Sequence, residues 1–335
     1  MGIKISAIDY YLPKKIITND DLKKKNPDWN MESVAIKSGV TQRHIARKNE
    51  TALDLTVEAC KNLLKNDTNL FNDINALIFC TQSPDYIMPP NAYLLQKRLR
   101  LPQNIIAFDF NLACSGYIYS IAMSHALIES KLATKILLVN ADTYSKYISK
   151  NDRSTSVLFG DAAAVTIVEK DENARGVIDV DFLSDGFNYD CFYIPAGGCR
   201  LPKSELTNEK KQASKDNIRT NNDIYMDGMS VWAAINSKVP KQIKDLIKRN
   251  DLSLNDIDQF FFHQASQMTL NSLKKVLGID NNLFINLEDK GNTVSASIPI
   301  AMKDALENEK LNRGDLLLLS GFGVGMSYAA MLIEY

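Results

Sequence analysis

Five cysteines and three histidines are the thiols and imidazoles from which this chain can build nucleophilic chemistry. Cys114 has the most telling surroundings. In FDFNLACSGYIYS an apolar strand pattern runs into Ala-Cys-Ser-Gly and then a helical pattern, so the thiol is expected at or near a helix N-terminus. Unpaired N–H groups there favour a thiolate. The small neighbours Ala113, Ser115 and Gly116 permit a sharp turn and close approach by a substrate, as at a nucleophile elbow. The competing reading is a buried structural cysteine.

A cysteine nucleophile needs a base, and only His44, His125 and His263 are on offer. His125 lies eleven residues beyond Cys114 on the same expected helix. At about 1.5 Å per residue that is roughly 16 Å along the axis, out of reach of the thiol. His44 sits among Arg43, Arg47 and Lys48, a setting that suits a solvated or anion-facing loop. His263 ends the apolar run DQFFFH and precedes a helical pattern, which puts its ring at a strand terminus, where α/β sites are built. It is the best partner. A third polar group is Asn292, in KGNTVSASIPIAMKDAL, where Gly-Asn-Thr precedes a helix; read alone, Gly-Asn is a turn. Gly321, Gly323 and Gly325 loosely match the spacing of a phosphate-binding loop, but they lead into an apolar run that reads as a strand. A tight turn presenting N–H groups, able to form half of an oxyanion hole, fits better. No metal cluster, carboxylate pair or Walker loop is evident.

The elements that position these residues alternate. NALIFCTQ, TKILLVNAD and AAAVTIVE read as strands between helical patterns, which suggests α/β layering. The later half repeats the plan: DQFFFHQA as a strand, QMTLNSLKKVLG and SASIPIAMKDALEN as helices, and GDLLLLSGFGVGMSYAAMLIEY as a closing hairpin. LFNDINALIFCTQS lines up with LSLNDIDQFFFHQAS, so that Cys80 faces His263, and FGDAAAVTIVE echoes FGVGMSYAAMLIE across a two-residue gap. Such self-similarity predicts an internal duplication. We place the halves at 1–172 and 173–335, with a polar, charged segment at 197–223 as a surface loop that either is a tolerated insertion or covers a site.

Composition bounds the rest. With 335 residues, 45% hydrophobic and 24% charged, the chain fits one large or two intimately packed domains. Lysine plus arginine (39) and aspartate plus glutamate (40) nearly cancel, so no overall basic field exists to hold nucleic acid. No run approaches the ~20 apolar residues of a membrane span. MGIKIS begins like a myristoylation motif, yet ISAI alternates like a strand. The odd, scattered cysteines argue against a disulfide framework or structural zinc and suit a cytoplasmic location.

Taken together, the chain resembles the β-ketoacyl-acyl-carrier-protein synthase III family of thiolase-like condensing enzymes. The resemblance runs nearly end to end, through YLP, SGVTQRHIA, NLACSGYIYS, the DRST to FGDAAAV run, HQAS, GNTVSAS and GFGVGMSYA. It implies a five-layered αβαβα fold of two duplicated halves, a homodimer, and a Cys114, His263, Asn292 triad. It also implies acyl transfer from acyl-CoA to Cys114, then decarboxylating condensation with malonyl-acyl carrier protein, with no permanently bound cofactor and no metal. The oxyanion donors would be the N–H groups of Cys114 and Val324. By the same resemblance Arg153, Trp29 and Ser266 contact the CoA or pantetheine arm, Met88 walls the acyl pocket across the dimer, and Lys274 and Lys275 meet the carrier protein. Ser266 and Met268 depart from the family's usual asparagine and arginine, and the spacing from Trp29 to Gly39 is longer than the family pattern. With the long loop holding Gly197, Gly198 and Arg200, these departures point to a specialised paralogue. Two other readings remain open: an acyltransferase delivering the Cys-bound acyl group to a hydroxyl or amine, and a non-catalytic partner subunit, which typically lacks the cysteine.

Overall fold

The computed structural model describes residues 2–65, 67–279 and 282–335. Two sheets carry the architecture. The first contains β1 (Gly2–Tyr11), β2 (Ala76–Cys80), β3 (Ile106–Phe110), β4 (Lys135–Asp142) and β5 (Ala162–Asp171), in the spatial order β1-β5-β4-β2-β3. The second contains β6 (Val177–Ser184), β7 (Gln259–Phe262), β8 (Leu316–Gly323) and β9 (Ser327–Glu334), in the order β7-β8-β9-β6. A single parallel bridge between Phe260 and Leu283 stands outside β7, where β3 stands outside β2. The two halves therefore share one topology, and the second has its outer strand reduced to one bridge. The sequence echoes fall on equivalent strands: β2 matches β7, and β5 matches β9.

Six helices complete the layers: α1 (Ala52–Leu64), α2 (Asn91–Leu99), α3 (Gly116–Glu129), α4 (Gly228–Arg249), α5 (Gln267–Leu277) and α6 (Ser297–Glu307). Strand alternation assigns them to layers. Leu77 and Phe79 of β2 pack outward on Leu53, Leu55 and Ala59 of α1, whereas Ala76 and Ile78 face inward. Phe260 and Phe262 of β7 pack outward on α4 and α5, while Phe261 faces inward. Between the sheets lie Ile118 and Ile121 of α3 and Ile298, Ala301 and Met302 of α6, in contact with both. This is the five-layered αβαβα order. It explains why the strands read as continuous apolar runs, since each is buried on two faces.

The middle helices matter most for function, because their N-termini come to the centre of the molecule. Cys114 precedes α3, and Asn292 precedes α6. The segment 197–223 is more ordered than its composition suggests. Lys211–Ser214 pairs with Asn217–Arg219 in a short hairpin, and Asp152 bridges to Asn217. The signal was a Lys215-Asp216 turn between two short runs of four and three residues.

Candidate active site

Cys114 is 3% exposed and stands one residue before the N-cap of α3, as its sequence context predicts. What the sequence could not supply is the pressure of β8 against it. A Cβ on Gly323 would lie 2.7 Å from the Cys114 Sγ, and one on Gly321 would lie 2.7 Å from the Cys114 carbonyl oxygen. Only glycine lets this strand pass so close. The approach brings the Val324 N–H to the sulfur, alongside the N–H of Cys114 itself. Burial pushes the thiol up to about 12, the buried Asp142 carboxyl adds to the shift, and those two N–H groups oppose it. The expectation that the helix terminus alone would favour a thiolate is thus corrected: desolvation outweighs it, and the resting group is a thiol.

His263 directly follows β7 and is 1% exposed. Burial pushes its imidazole down to about 3, against a weaker opposing hydrogen bond with the Val294 backbone, so the ring is neutral near pH 7. Its tautomer follows from its neighbours. Asn292 Oδ1 accepts from the Val294 N–H at 2.9 Å, which turns the Asn292 Nδ2 toward His263 Nε2 at 3.3 Å. Two donors cannot face one another, so Nε2 carries the lone pair and the ring proton is on Nδ1. Ser297 Oγ accepts that proton at 2.7 Å. A bare Nε2 can take a proton. The Ser297 hydroxyl can rotate from acceptor to donor, so the ring can also change tautomer without losing its partner.

Asn292 is 5% exposed and is fixed by its backbone, donating to the Leu158 carbonyl at 2.8 Å and accepting from the Gly160 N–H at 3.0 Å. These bonds join the α6 entry loop to the FGD segment of the other half. Ser297 went unnoticed in the sequence, although a hydroxyl at the first residue of α6 was a visible signal.

Cys114, His263 and Asn292 line one cavity of about 570 Å³, together with Arg153 and Ser266. Arg153 stands near the hairpin of residues 211–219, where its guanidinium pairs with Asp216 at 2.9 Å. Ser266 lines the wall, but its hydroxyl caps α5, accepting from the Thr269 N–H at 3.2 Å. Ala213, Asn217 and Arg219 of the long segment also line this cavity, and Arg219 pairs with Asp152 at 3.2 Å. The segment therefore borders the site.

Other expected residues lie elsewhere. Trp29 is 4% exposed, packed with Leu22, Met31 and Val157, so its ring has no free face for a nucleotide base. Asn30, Ser33 and Lys37, within and just before the following helix Met31–Ser38, line the cavity instead. Met88 is 79% exposed, and Lys274 and Lys275 lie in the last turn of α5; none of the three lines the cavity. His44 is not in a loop but in the strand Gln42–Ile45, with Nδ1 2.6 Å from the Pro13 carbonyl oxygen. His125 is on α3, as its spacing required. Among the described residues, no group of three histidine, cysteine, aspartate or glutamate side chains is placed to hold a metal ion.

Comparison with known proteins gives a consistent picture. Residues 108–186 match the family profile described as 3-oxoacyl-[acyl-carrier-protein] synthase III, and residues 247–335 match the profile of its C-terminal region. The β-ketoacyl-[acyl-carrier-protein] synthase III of Caldanaerobacter subterraneus is 34% identical, covering 97% of this chain and 95% of its own. That of Fusobacterium nucleatum is 32% identical over 100% and 99%. A crystal structure of a 3-oxoacyl-(acyl-carrier-protein) synthase III superposes with a TM-score of 0.97 at 36% identity, over the whole of both chains. The synthase III of Thermus thermophilus gives a TM-score of 0.88 at 31% identity, covering 100% of this chain and 99% of its own. With matched catalytic contexts, a duplicated five-layer fold and full-length relatives, this chain belongs to the 3-oxoacyl-[acyl-carrier-protein] synthase III family of thiolase-like condensing enzymes.

Proposed function

We propose that the protein catalyses acyl transfer from acyl-CoA to Cys114, followed by decarboxylating condensation with malonyl-acyl carrier protein. The observation that carries this reading is the placement of His263, held by Ser297 and Asn292, in the same cavity as the thiol. In the first step His263 accepts the thiol proton as the sulfur attacks the acyl thioester, and that proton leaves on the CoA thiol. The thioester oxygen gathers charge near the N–H groups of Cys114 and Val324. In the second step the malonyl carboxylate leaves as CO2, and the enolate oxygen is met by donors from His263, now in its Nε2–H tautomer, and Asn292. The carbanion attacks the acyl carbon, the Cys114 sulfur departs, and the product is a 3-oxoacyl thioester on the carrier.

Asparagine suits this sequence because its amide donates a hydrogen bond without accepting a proton. Arg153 and the Ser266 wall form the entrance for the pantetheine arm, and Lys274 and Lys275 meet the carrier protein. The molecule acts as a cytoplasmic homodimer in which Met88 completes the acyl pocket of the second copy. The halves divide between Glu172 and Asn173, in the short connection from β5 to β6.

Incubation with acyl-CoA and malonyl-carrier protein is expected to release CO2 and yield a 3-oxoacyl product. The Cys114→Ala variant is expected to show no acyl adduct by intact mass. Acyl transfer to a hydroxyl or amine acceptor without CO2 release, or an adduct persisting in the alanine variant, would overturn the assignment.

A further inference from the structure

The N–H groups of Cys114 and Val324 reach the Cys114 sulfur from segments far apart in the chain, and both must hold still if an oxyanion is to be met as it forms. Cys114 is fixed by the start of α3. Val324 lies in the turn between β8 and β9, flanked by Gly323 and Gly325, and Gly325 has a φ of +140°, a conformation open to glycine. Gly323 pairs with Ser327 across the turn, and Met326 exchanges backbone hydrogen bonds with Asp185 at 2.8 and 2.9 Å. The ends of the turn are thus anchored, while the donor sits in its middle.

A pair of serines reaches that middle. Ser327 Oγ donates to the Val324 carbonyl at 3.0 Å, and Ser115 Oγ lies 2.7 Å from Ser327 Oγ. A hydroxyl has one proton to donate. Ser327 gives its proton to Val324, so Ser115 is the donor in the second bond, and the chain runs from Ser115 to Ser327 to Val324. Both side chains are buried, so neither bond is shared with solvent. Ser115 is also the N-cap of α3, where a serine hydroxyl ordinarily accepts from the first turn of its own helix, yet it makes no such cap bond. Its hydroxyl is turned across to β9 instead.

We propose that Ser115 and Ser327 are positioning residues that clamp the Val324 N–H in the oxyanion site. This rests on the acyl-Cys114 reading above. Through the two hydroxyls, the residue that follows the nucleophile is tied to the carbonyl of the residue whose N–H faces the sulfur, so the two donors keep a fixed relation to each other. Without either hydroxyl, the Val324 peptide can turn between its glycine neighbours, and the donor is displaced rather than removed. The loss falls on the transition state, where the thioester oxygen bears charge, and not on binding of the neutral thioester.

The test is single-turnover acyl transfer, read as mass gained by the protein at rising concentrations of whichever of acetyl-, butyryl- and octanoyl-CoA wild type loads fastest. Ser327→Ala and Ser115→Ala are each expected to lower the maximal loading rate about tenfold, short of the roughly 10²–10³ for outright loss of an oxyanion donor, with the half-saturating concentration within about twofold of wild type. Alkylation of Cys114 by iodoacetamide develops no oxyanion, so it should slow by no more than about threefold, through the weakened N–H contact with the sulfur. Because Ser115 acts through Ser327, the double variant should be no slower than Ser327→Ala. Ser327→Thr keeps the hydroxyl and should restore loading. Wild-type loading in either folded alanine variant overturns the clamp, and so do loading and alkylation that fall in parallel, or losses that multiply in the double variant. If Ser327→Ala does not fold, Ser115→Ala decides alone. If wild type gains no mass from any of the three acyl-CoAs while iodoacetamide still alkylates Cys114, the acyl-enzyme reading falls and the clamp with it.

Discussion

At the scale of single residues, the site is arranged so that Cys114 and His263 are both uncharged at rest. The thiol is pushed up to about 12 and the imidazole down to about 3, each chiefly by burial. Alkylation of Cys114 by iodoacetamide should therefore climb steadily through mildly alkaline pH with no plateau, and His263 should add no acidic limb until pH approaches its depressed value. Asp142 enters this balance from behind. It is buried, pushed up to about 7, and surrounded by the Gln82 N–H at 2.8 Å and the hydroxyls of Ser83, Thr81 and Ser295. Once ionised, it repels a thiolate at Cys114. Asp142→Asn preserves the pattern, since Oδ1 can keep its three donors and the amide can donate to Ser295. That variant should alkylate several-fold faster than wild type at about pH 8, because one pK unit is about 1.4 kcal/mol between protonation states. An unchanged or slower rate would show that the carboxylate does not reach the sulfur electrostatically.

At the scale of elements, α3 is positioned by contacts its own pattern does not reveal. Its first residue, Gly116, sits where a Cβ would come within 2.4 Å of the Cys80 Sγ at the end of β2. Gly116→Ala should destabilise the fold by about 1–3 kcal/mol, the usual cost of overpacking a tight core. Cys80→Ala removes the obstructing sulfur, so the double variant should be more stable than the sum of the single changes predicts, by about 1 kcal/mol of coupling in a urea cycle. Strict additivity would place the obstruction elsewhere. The duplication is legible at this scale too. Cys80 and His263 occupy the same place at the ends of equivalent strands, where one half keeps a buried thiol under α3 and the other presents the imidazole. The reduced outer strand at Leu283 was not legible, because a lone bridge leaves no run of alternating residues to read.

At the scale of the whole molecule, an apolar surface remains unaccounted for within one chain. Ile87 and Phe187 are each 96% exposed, Met88 79%, and Tyr86 and Tyr189 each 60%. These are side chains that the homodimer proposed above would cover. Sedimentation is expected to give twice the chain mass, and Ile87→Asp combined with Phe187→Asp should return the monomer. A wild-type monomer at micromolar concentration would refute the homodimer. No helix among the described residues is long and apolar enough to cross a membrane.

The sequence by itself determined the α/β alternation and, through its motifs, the resemblance that implies the family and the layer order; it also placed Cys114, His263 and Asn292 at the ends of elements, because that depends on local chemistry. Ala-Cys-Ser-Gly makes a turn into a helix, DQFFFH ends a buried strand, and Gly-Asn-Thr precedes a helix, whatever surrounds them. Tertiary structure alone decided which way the thiol ionises, since that depends on desolvation by residues distant in the chain. It likewise decided that Trp29 is buried beneath Val157 and that Ser297 and Asn292 hold the two nitrogens of the His263 ring. Each of these is a property of groups brought together from separate segments. A pattern read along one strand or helix carries no record of what packs against it.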